Sequence, residues 1–328
     1  MPAPNSAPAV AIAGVQKTYG ATVALRGIDL TIRRGEFFGL LGPNGAGKST
    51  LINIIAGLVR ASAGTVAVLG HDVVRDYRKA RRSLGVVPQE LVFDPFFNVI
   101  DMLRLQAGYY GAGAAAWPWI DQLIERLELG PKRDAMMRTL SGGQKRRVLI
   151  AQALVHKPPV VILDEPTAGV DVDLRRTLWE FTRELHGQGH TIVLTTHYLE
   201  EAEDLCERVA IIDQGAVRVV EGTRQLLGRH PFRFLKLKLN GAAPGANAGG
   251  EKSLSMTPAA GLPESLRALV VSEQGGEIEL KLERAHHPVG EVLETLRAHG
   301  ARIDDVHTRE PTLEDVFVEL THAPKGRM

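Results

Sequence analysis

An α/β domain with a largely parallel sheet, followed by a small α+β domain, is the architecture this 328-residue sequence predicts. Three observations lead there. Short, continuous Val/Ile/Leu runs recur along the first two thirds, as strands covered on both faces require. Helical patterns lie between those runs, and such alternation is the mark of a parallel sheet with crossover helices. After about His230 the composition changes, and the runs begin to alternate in the manner of half-exposed strands.

In order along the chain, the strand-like runs are "VAIAGV", "FFGLLG", "GTVAVLG", "SLGVVPQ", "VVILDE", "TIVLTTH" and "RVAIIDQG". Helical spacing appears in "KSTLINIIAGL" and "LRRTLWEFTRELHG". Residues 90–140 break the rhythm. They hold no good strand and two helical patterns, "NVIDMLRLQAGYY" and "WIDQLIERLEL", and are expected to form a helical insertion in a first domain of residues 1–229. The second domain, residues 230–328, opens with the alternating "FRFLKLKLN". Residues 241–263 are rich in Gly, Ala, Pro and Ser, which predicts a flexible loop. Strands are expected at "LRALVVSE", "EIELKLE" and "RIDDVHT", and helices at "VGEVLETLRAHG" and "PTLEDVFVELTH".

Composition narrows the function. Lys and Arg total 39 against 38 Asp and Glu, so no bulk positive field favours nucleic acid. The single cysteine, Cys206, has no internal disulfide partner and sits at apolar helical spacing, as a core residue in a reducing compartment would. The N-terminal residues lack the basic and apolar regions of a signal peptide. No apolar run approaches the ~20 residues of a spanning helix.

Two segments suggest anion sites. "GPNGAGKST", Gly42 to Thr50, fits G-x-x-x-x-G-K-[ST] and stands where that motif belongs, after an apolar strand and at the start of a helix. Its backbone can wrap phosphates: Gly42, Pro43, Asn44, Gly45, Ala46 and Gly47 form the loop, Lys48 reaches the β- and γ-phosphates, and Ser49 can ligate Mg²⁺. "LSGGQKRR" starts at Leu140. Ser141 and Gln144 have capping-box spacing, and Gly142 and Gly143 leave the first-turn N–H groups uncovered, a second place for an anion. "VVILDEP" ends an apolar strand on Asp164, suited to ordering the metal, with Glu165 placed as a general base toward water.

The ordered set "GPNGAGKST", the glutamine of "VVPQE", "LSGGQ", "VVILDEP", "AGVD" and the histidine of "TTHYLEEAE" strongly resembles the nucleotide-binding subunits of ABC transporters, over approximately Val10 to Gly228. The closer resemblance, which includes the terminal "EPTLEDVFVEL", is to ABC-2-type export ATPases of the drug-resistance and nodulation-factor groups, especially YadG-like proteins. Several roles follow from the resemblance. It implies that Tyr19 stacks on adenine, Gln89 touches Mg²⁺ and senses the membrane partner, His197 is the switch at the γ-phosphate, and Asp171 belongs to a loop crossing between protomers. It further implies a head-to-tail homodimer in which ATP on Gly42–Thr50 of one copy meets Ser141, Gly142 and Gly143 of the other. The two anion sites would then be halves of two composite sites. Such ATPases pair with a separately encoded ABC-2-type integral membrane permease, which places the chain at the cytoplasmic face of the membrane. Ala168 stands where the family more usually has serine.

The alternative is a soluble ATPase of this fold acting in macromolecular assembly. Translation factors of that kind carry two ATPase domains, and DNA-repair relatives carry an internal coiled coil; neither feature is in this sequence. For a permease, the expected docking segment is "ELVFDPFFNV", where Phe93, Phe96 and Phe97 have spacings that could share a helical face, although Pro95 opposes a regular helix.

Overall fold

The structure, a computed structural model, describes residues 7–240, 262–274 and 276–322. The Gly/Ala/Pro-rich segment expected to be a loop lies outside the described residues, apart from its last two positions. The chain divides into two compact units. The first runs to Thr223 and takes in the residues from Glu319 onward; the second is Arg224–Val318.

The first unit opens with β1 (Val10–Tyr19), β2 (Thr22–Ile32) and β3 (Phe37–Leu41), then α1 (Lys48–Ile55). It continues through β4 (Ala63–Val68), β5 (His71–Asp72), α2 (Tyr77–Arg82) and β6 (Leu84–Val87). The helices α3 (Val99–Tyr109), α4 (Trp117–Arg126) and α5 (Gly142–Leu154) follow. Next come β7 (Val160–Asp164), α6 (Val172–Gly187), β8 (Thr191–Thr195), α7 (Leu199–Leu205), β9 (Arg208–Asp213) and β10 (Ala216–Gly222); α8 (Thr223–Gly228) starts at Thr223, and its remaining residues belong to the second unit.

Two sheets form rather than the single one expected. The six-stranded sheet has the order β10-β9-β3-β8-β7-β6, parallel throughout except for β10. Every residue of β3, β7 and β8 is buried, as their continuous apolar character requires. "VAIAGV" and "GTVAVLG" belong instead to a four-stranded antiparallel sheet, β2-β1-β4-β5. Only two residues separate β1 from β2, and a connection that short permits only an antiparallel pair. β2 itself escapes a reading by alternation, because its register with β1 shifts around Val15 and Ile28, next to Gly27 at φ +91°.

Residues 90–140 hold α3 and α4; the only strand-like pairing described there is the isolated bridge from Asn98 to Met136. Asn98 caps α3 by accepting from the Asp101 N–H at 2.8 Å. Residues 88–98 contain no helix.

The second unit holds β11 (Phe232–Asn240), α9 (Glu264–Arg267), β12 (Val270–Gln274), β13 (Glu277–Glu283), α10 (Val289–Ala298), β14 (Arg302–Arg309) and most of α11 (Leu313–His322). Its antiparallel sheet has the order β12-β13-β11-β14. Leu235, Leu237, Ile278, Leu280 and Leu282 alternate onto one face and pack on Leu266, Val292 and Leu296 in a core of their own.

Candidate nucleotide site

The strand order does most of the positioning. β3, β8, β7 and β6 are adjacent and parallel, so their carboxyl ends open on the same edge of the sheet, where ligands of open α/β sheets bind. β3 ends at Leu41 and delivers the loop 42–47. β7 ends at Asp164 with Glu165 next, β8 leads to His197, and β6 leads to Gln89. Four separate stretches of sequence thus converge because four strands lie side by side.

The loop owes its shape to Gly47, the N-cap of α1, at φ +107°. A Cβ there would come within 2.8 Å of the Ala24 carbonyl oxygen on β2. Lys48, 8% exposed, crosses the loop and donates to the carbonyls of Gly42 at 2.6 Å and Pro43 at 3.1 Å. Burial pushes its pKa down, opposed by the nearby charges of Glu165 and Asp164. Ser49 is exposed on the first turn of α1, followed by half-buried Thr50. Tyr19 ends β1 half-exposed, with Lys17 Nζ 4.7 Å from its ring centroid.

Asp164 is buried, which raises its pKa; the Thr195 hydroxyl, donating to Asp164 Oδ1 at 2.5 Å, works against that rise. Glu165 takes a left-handed φ of +47°, uncommon outside glycine, and its N–H donates to Thr195. Its carboxylate is the centre of the site: Glu165 Oε2 accepts from Gln89 Nε2 at 2.9 Å and lies 3.5 Å from His197 Nδ1. Three predicted residues from three strands are therefore in direct contact.

Ser141 caps α5 as its spacing predicts. Its Oγ accepts from the Gln144 N–H at 3.3 Å, and Gln144 Oε1 accepts from the Ser141 N–H at 3.1 Å. Leu140 is buried, while Ser141 and Gly142 are exposed. A Cβ on Gly143 would stand 2.9 Å from Leu174 Cδ2, so this turn packs beside the start of α6, which Asp171 caps by accepting from Leu174 N–H at 2.8 Å. Among the described residues, no hydrogen bond or ion pair joins Leu140–Gln144 to the loop at Gly42.

Three supporting groups escape sequence reading. Thr195 serves both Asp164 and Glu165. Arg146, 4% exposed on α5, donates to the carbonyls of Pro88 at 2.6 Å and Gln89 at 2.7 Å, tying the helix that starts at Ser141 to the backbone of Gln89. Glu201, 7% exposed, accepts from Thr167 and Thr196. Their only signal was proximity to a motif in sequence. Beside Gln89 a cavity of about 360 Å³ is lined by Leu58, Arg81, Val92, Gln106, Tyr110 and Gln152, among others. Val92 brings the segment after Gln89 to its wall; of the phenylalanines in that segment, Phe96 is 78% exposed and Phe93 lies under Lys145 Nζ at 4.6 Å.

The sequence profile of the ABC transporter family matches residues 25–168, from β2 through Ala168, and so takes in the loop, "LSGGQ" and Glu165. Similarity extends over nearly the whole chain. A linearmycin resistance ATP-binding protein of Bacillus subtilis is 33% identical over 94% of this chain and 96% of its own length. The chain belongs to the ATP-binding subunits of ABC transporters. Within that family, the daunorubicin resistance ATP-binding protein DrrA3 of Streptomyces coeruleorubidus is 35% identical over 95% of the chain and 96% of its own length. A Nod factor export ATP-binding protein of Burkholderia lata is 43% identical over 65% and 70%. Residues 251–321 match the C-terminal domain of DrrA1-3-like ATP-binding proteins. Among solved structures, an ATP-binding subunit of an ABC transporter superposes with TM-score 0.64 at 28% identity, covering 67% of this chain and 92% of that one. A dimeric ATP-binding cassette in a post-hydrolysis state with ADP and Pi superposes with TM-score 0.61 at 29% identity, covering 66% and 99%. This ABC subunit is an ATPase of the exporter group.

Proposed function

We propose that two copies of this chain close head to tail over two ATP molecules and drive a separately encoded ABC-2-type permease. The observation that carries the reading is the Glu165 carboxylate held between Gln89 and His197, on the same sheet edge as Lys48. The N–H groups of Gly42–Thr50 wrap the phosphates and Lys48 turns from its carbonyl acceptors to the β- and γ-oxygens. Tyr19 stacks on the adenine. Glu165 takes the proton of the attacking water, His197 holds the γ-phosphate end, and Gln89 orients the water or the metal.

Ser49, Gln89 and Asp164 form an all-oxygen donor set suited to Mg²⁺, and Asp164 is buried where a cation would offset the cost of its charge. Those residues would hold the ion, which would supply charge neutralisation at the phosphates. The partner copy brings Ser141, Gly142 and Gly143: bare N–H groups and a helix dipole aimed at the γ-phosphate. ATP therefore joins the copies and hydrolysis releases them, with Asp171 in the loop that crosses between them.

Among the described residues no helix is long and apolar enough to cross a membrane. Contact with the membrane comes through the permease at the cytoplasmic face, docked on the segment after Gln89, where Phe96 is exposed and Val92 lines the neighbouring cavity. Transport rather than soluble assembly work is favoured by the exporter and resistance names of the relatives.

Glu165→Gln tests the chemistry. It keeps size and hydrogen bonding but removes the base, so ATP binding persists while turnover falls on the order of 10²–10⁴-fold. The variant accumulates as an ATP-bound dimer on size exclusion. Wild-type turnover in this variant overturns the reading.

A further inference from the structure

Glu201 is a buried carboxylate with no part in the scheme above. Burying a charge is costly unless it is well paired, so its partners point to what it does. Two are hydroxyls, and both donate to the same atom: Thr167 Oγ1 reaches Glu201 Oε2 at 3.0 Å and Thr196 Oγ1 reaches it at 2.7 Å. These threonines are 1% and 2% exposed and leave two different strands. Thr167 lies two residues after Glu165; Thr196 lies immediately before His197. One oxygen thus pins the loop after β7 to the loop after β8, and these loops carry the two groups found 3.5 Å apart.

The other oxygen faces α6. Arg175 Nε is 3.6 Å from Glu201 Oε1, an ion pair longer than a hydrogen bond, and neither of these two atoms has a hydrogen-bond partner. The Arg175 guanidinium lies 4.6 Å from the ring centroid of Tyr198, and that ring is 4.1 Å from the ring of His197. The backbone N–H of Arg175 makes the ordinary first-turn helical bond to the carbonyl of Asp171.

We propose that Glu201 is a positioning residue for hydrolysis: with Arg175 it sets the placement of His197 against Glu165. Glu201 is 7% exposed and acts through the threonines and Tyr198. The proposal rests on Glu165 and His197 being the catalytic pair.

The test uses the full chain with saturating Mg²⁺ and ATP, measuring phosphate release, ATP affinity and thermal stability of Glu201→Gln, Arg175→Ala and the double variant. Misplacing a catalytic group by about 1 Å can cost up to ~10²-fold, so each single variant is expected to lose on the order of tenfold in kcat. ATP affinity stays within about twofold of wild type, because the phosphate loop is untouched. The double variant is no slower than the slower single, since both changes break one linkage. Arg175→Lys, which keeps the charge against Glu201, recovers part of the rate. The proposal is overturned if kcat is unchanged in both singles, if its loss is matched by loss of ATP affinity or of the fold, or if the two losses multiply. Glu165→Gln is run alongside: full turnover there removes the catalytic pair itself, a failure distinct from that of Glu201.

Discussion

At the residue scale, glycines and threonines in this site do opposite things. Gly47 is required by the backbone, at φ +107° with the Ala24 carbonyl 2.8 Å from any added Cβ. Gly45, at φ +79°, has open space around its missing Cβ. The two substitutions to alanine therefore separate strain from clash. Gly45→Ala is expected to cost about 1 kcal/mol from the left-handed conformation alone. Gly47→Ala adds a collision with backbone, so about 2–4 kcal/mol is expected, together with weakened ATP binding. Thermal melts and nucleotide titration of both variants check this ranking; equal losses would mean the hairpin yields. The motif made both glycines legible in sequence, but not which one the neighbouring sheet crowds. Thr195 and Glu201 were illegible for the same reason. A threonine after an apolar strand has no distinguishing spacing, and its role exists only because β7 and β8 are neighbours.

At the element scale, continuous apolar runs identified β3, β7 and β8 because both faces of those strands are covered. They could not tell that the run at β1 leaves the parallel sheet, since that choice lies in the two-residue turn to β2 and in the bulge near Gly27. The capping box at Ser141 was fully legible, being local. The contact that joins the end of α3 to the segment after α5 was not: the rings of Tyr110 and His156 stack with centroids 3.6 Å apart and 5° between planes. His156 Nε2 lies 3.1 Å from the Leu84 carbonyl, which fits the neutral tautomer donating there, and Nδ1 is buried without a partner. Burial pushes its pKa down to about 4 from 6.5. The unfolded chain therefore binds more protons than the folded one between those values, and stability is lost as pH falls from about 6.5 toward 4. His156→Phe keeps a ring on Tyr110 and removes the titration. Its melting temperature is expected to decline less over that window than that of the wild type, even if it starts lower for want of the bond to Leu84. Parallel declines would place the acid sensitivity elsewhere.

At the scale of the whole molecule, each unit carries its own core, and all the site residues fall in the first. Within that unit the phosphate loop opens at the end of β3, whereas Ser141–Gly143 packs beside the head of α6. A chain that completed its nucleotide site alone would bring these two anion-binding turns together, and no bond among the described residues does so. The proposed head-to-tail dimer would resolve this by letting each copy supply one turn to the other, a closed two-fold arrangement in which both sites are equivalent. That arrangement makes a prediction no single-chain scheme shares. Lys48→Ala disables the loop half, and Ser141→Arg fills the cap half with a bulky cation and removes the hydroxyl that accepts from Gln144. Each variant alone is inactive, since both of its composite sites hold one lesion. In a mixed dimer one site collects both lesions and the other has neither. Equal mixing with random pairing makes half of the dimers mixed, so about a quarter of the wild-type rate should return if the two sites fire independently. Phosphate release from the mixture, compared with each variant alone, measures it. A chain that used its own Ser141 would regain nothing on mixing, and a pair of sites obliged to fire together would regain well under a quarter.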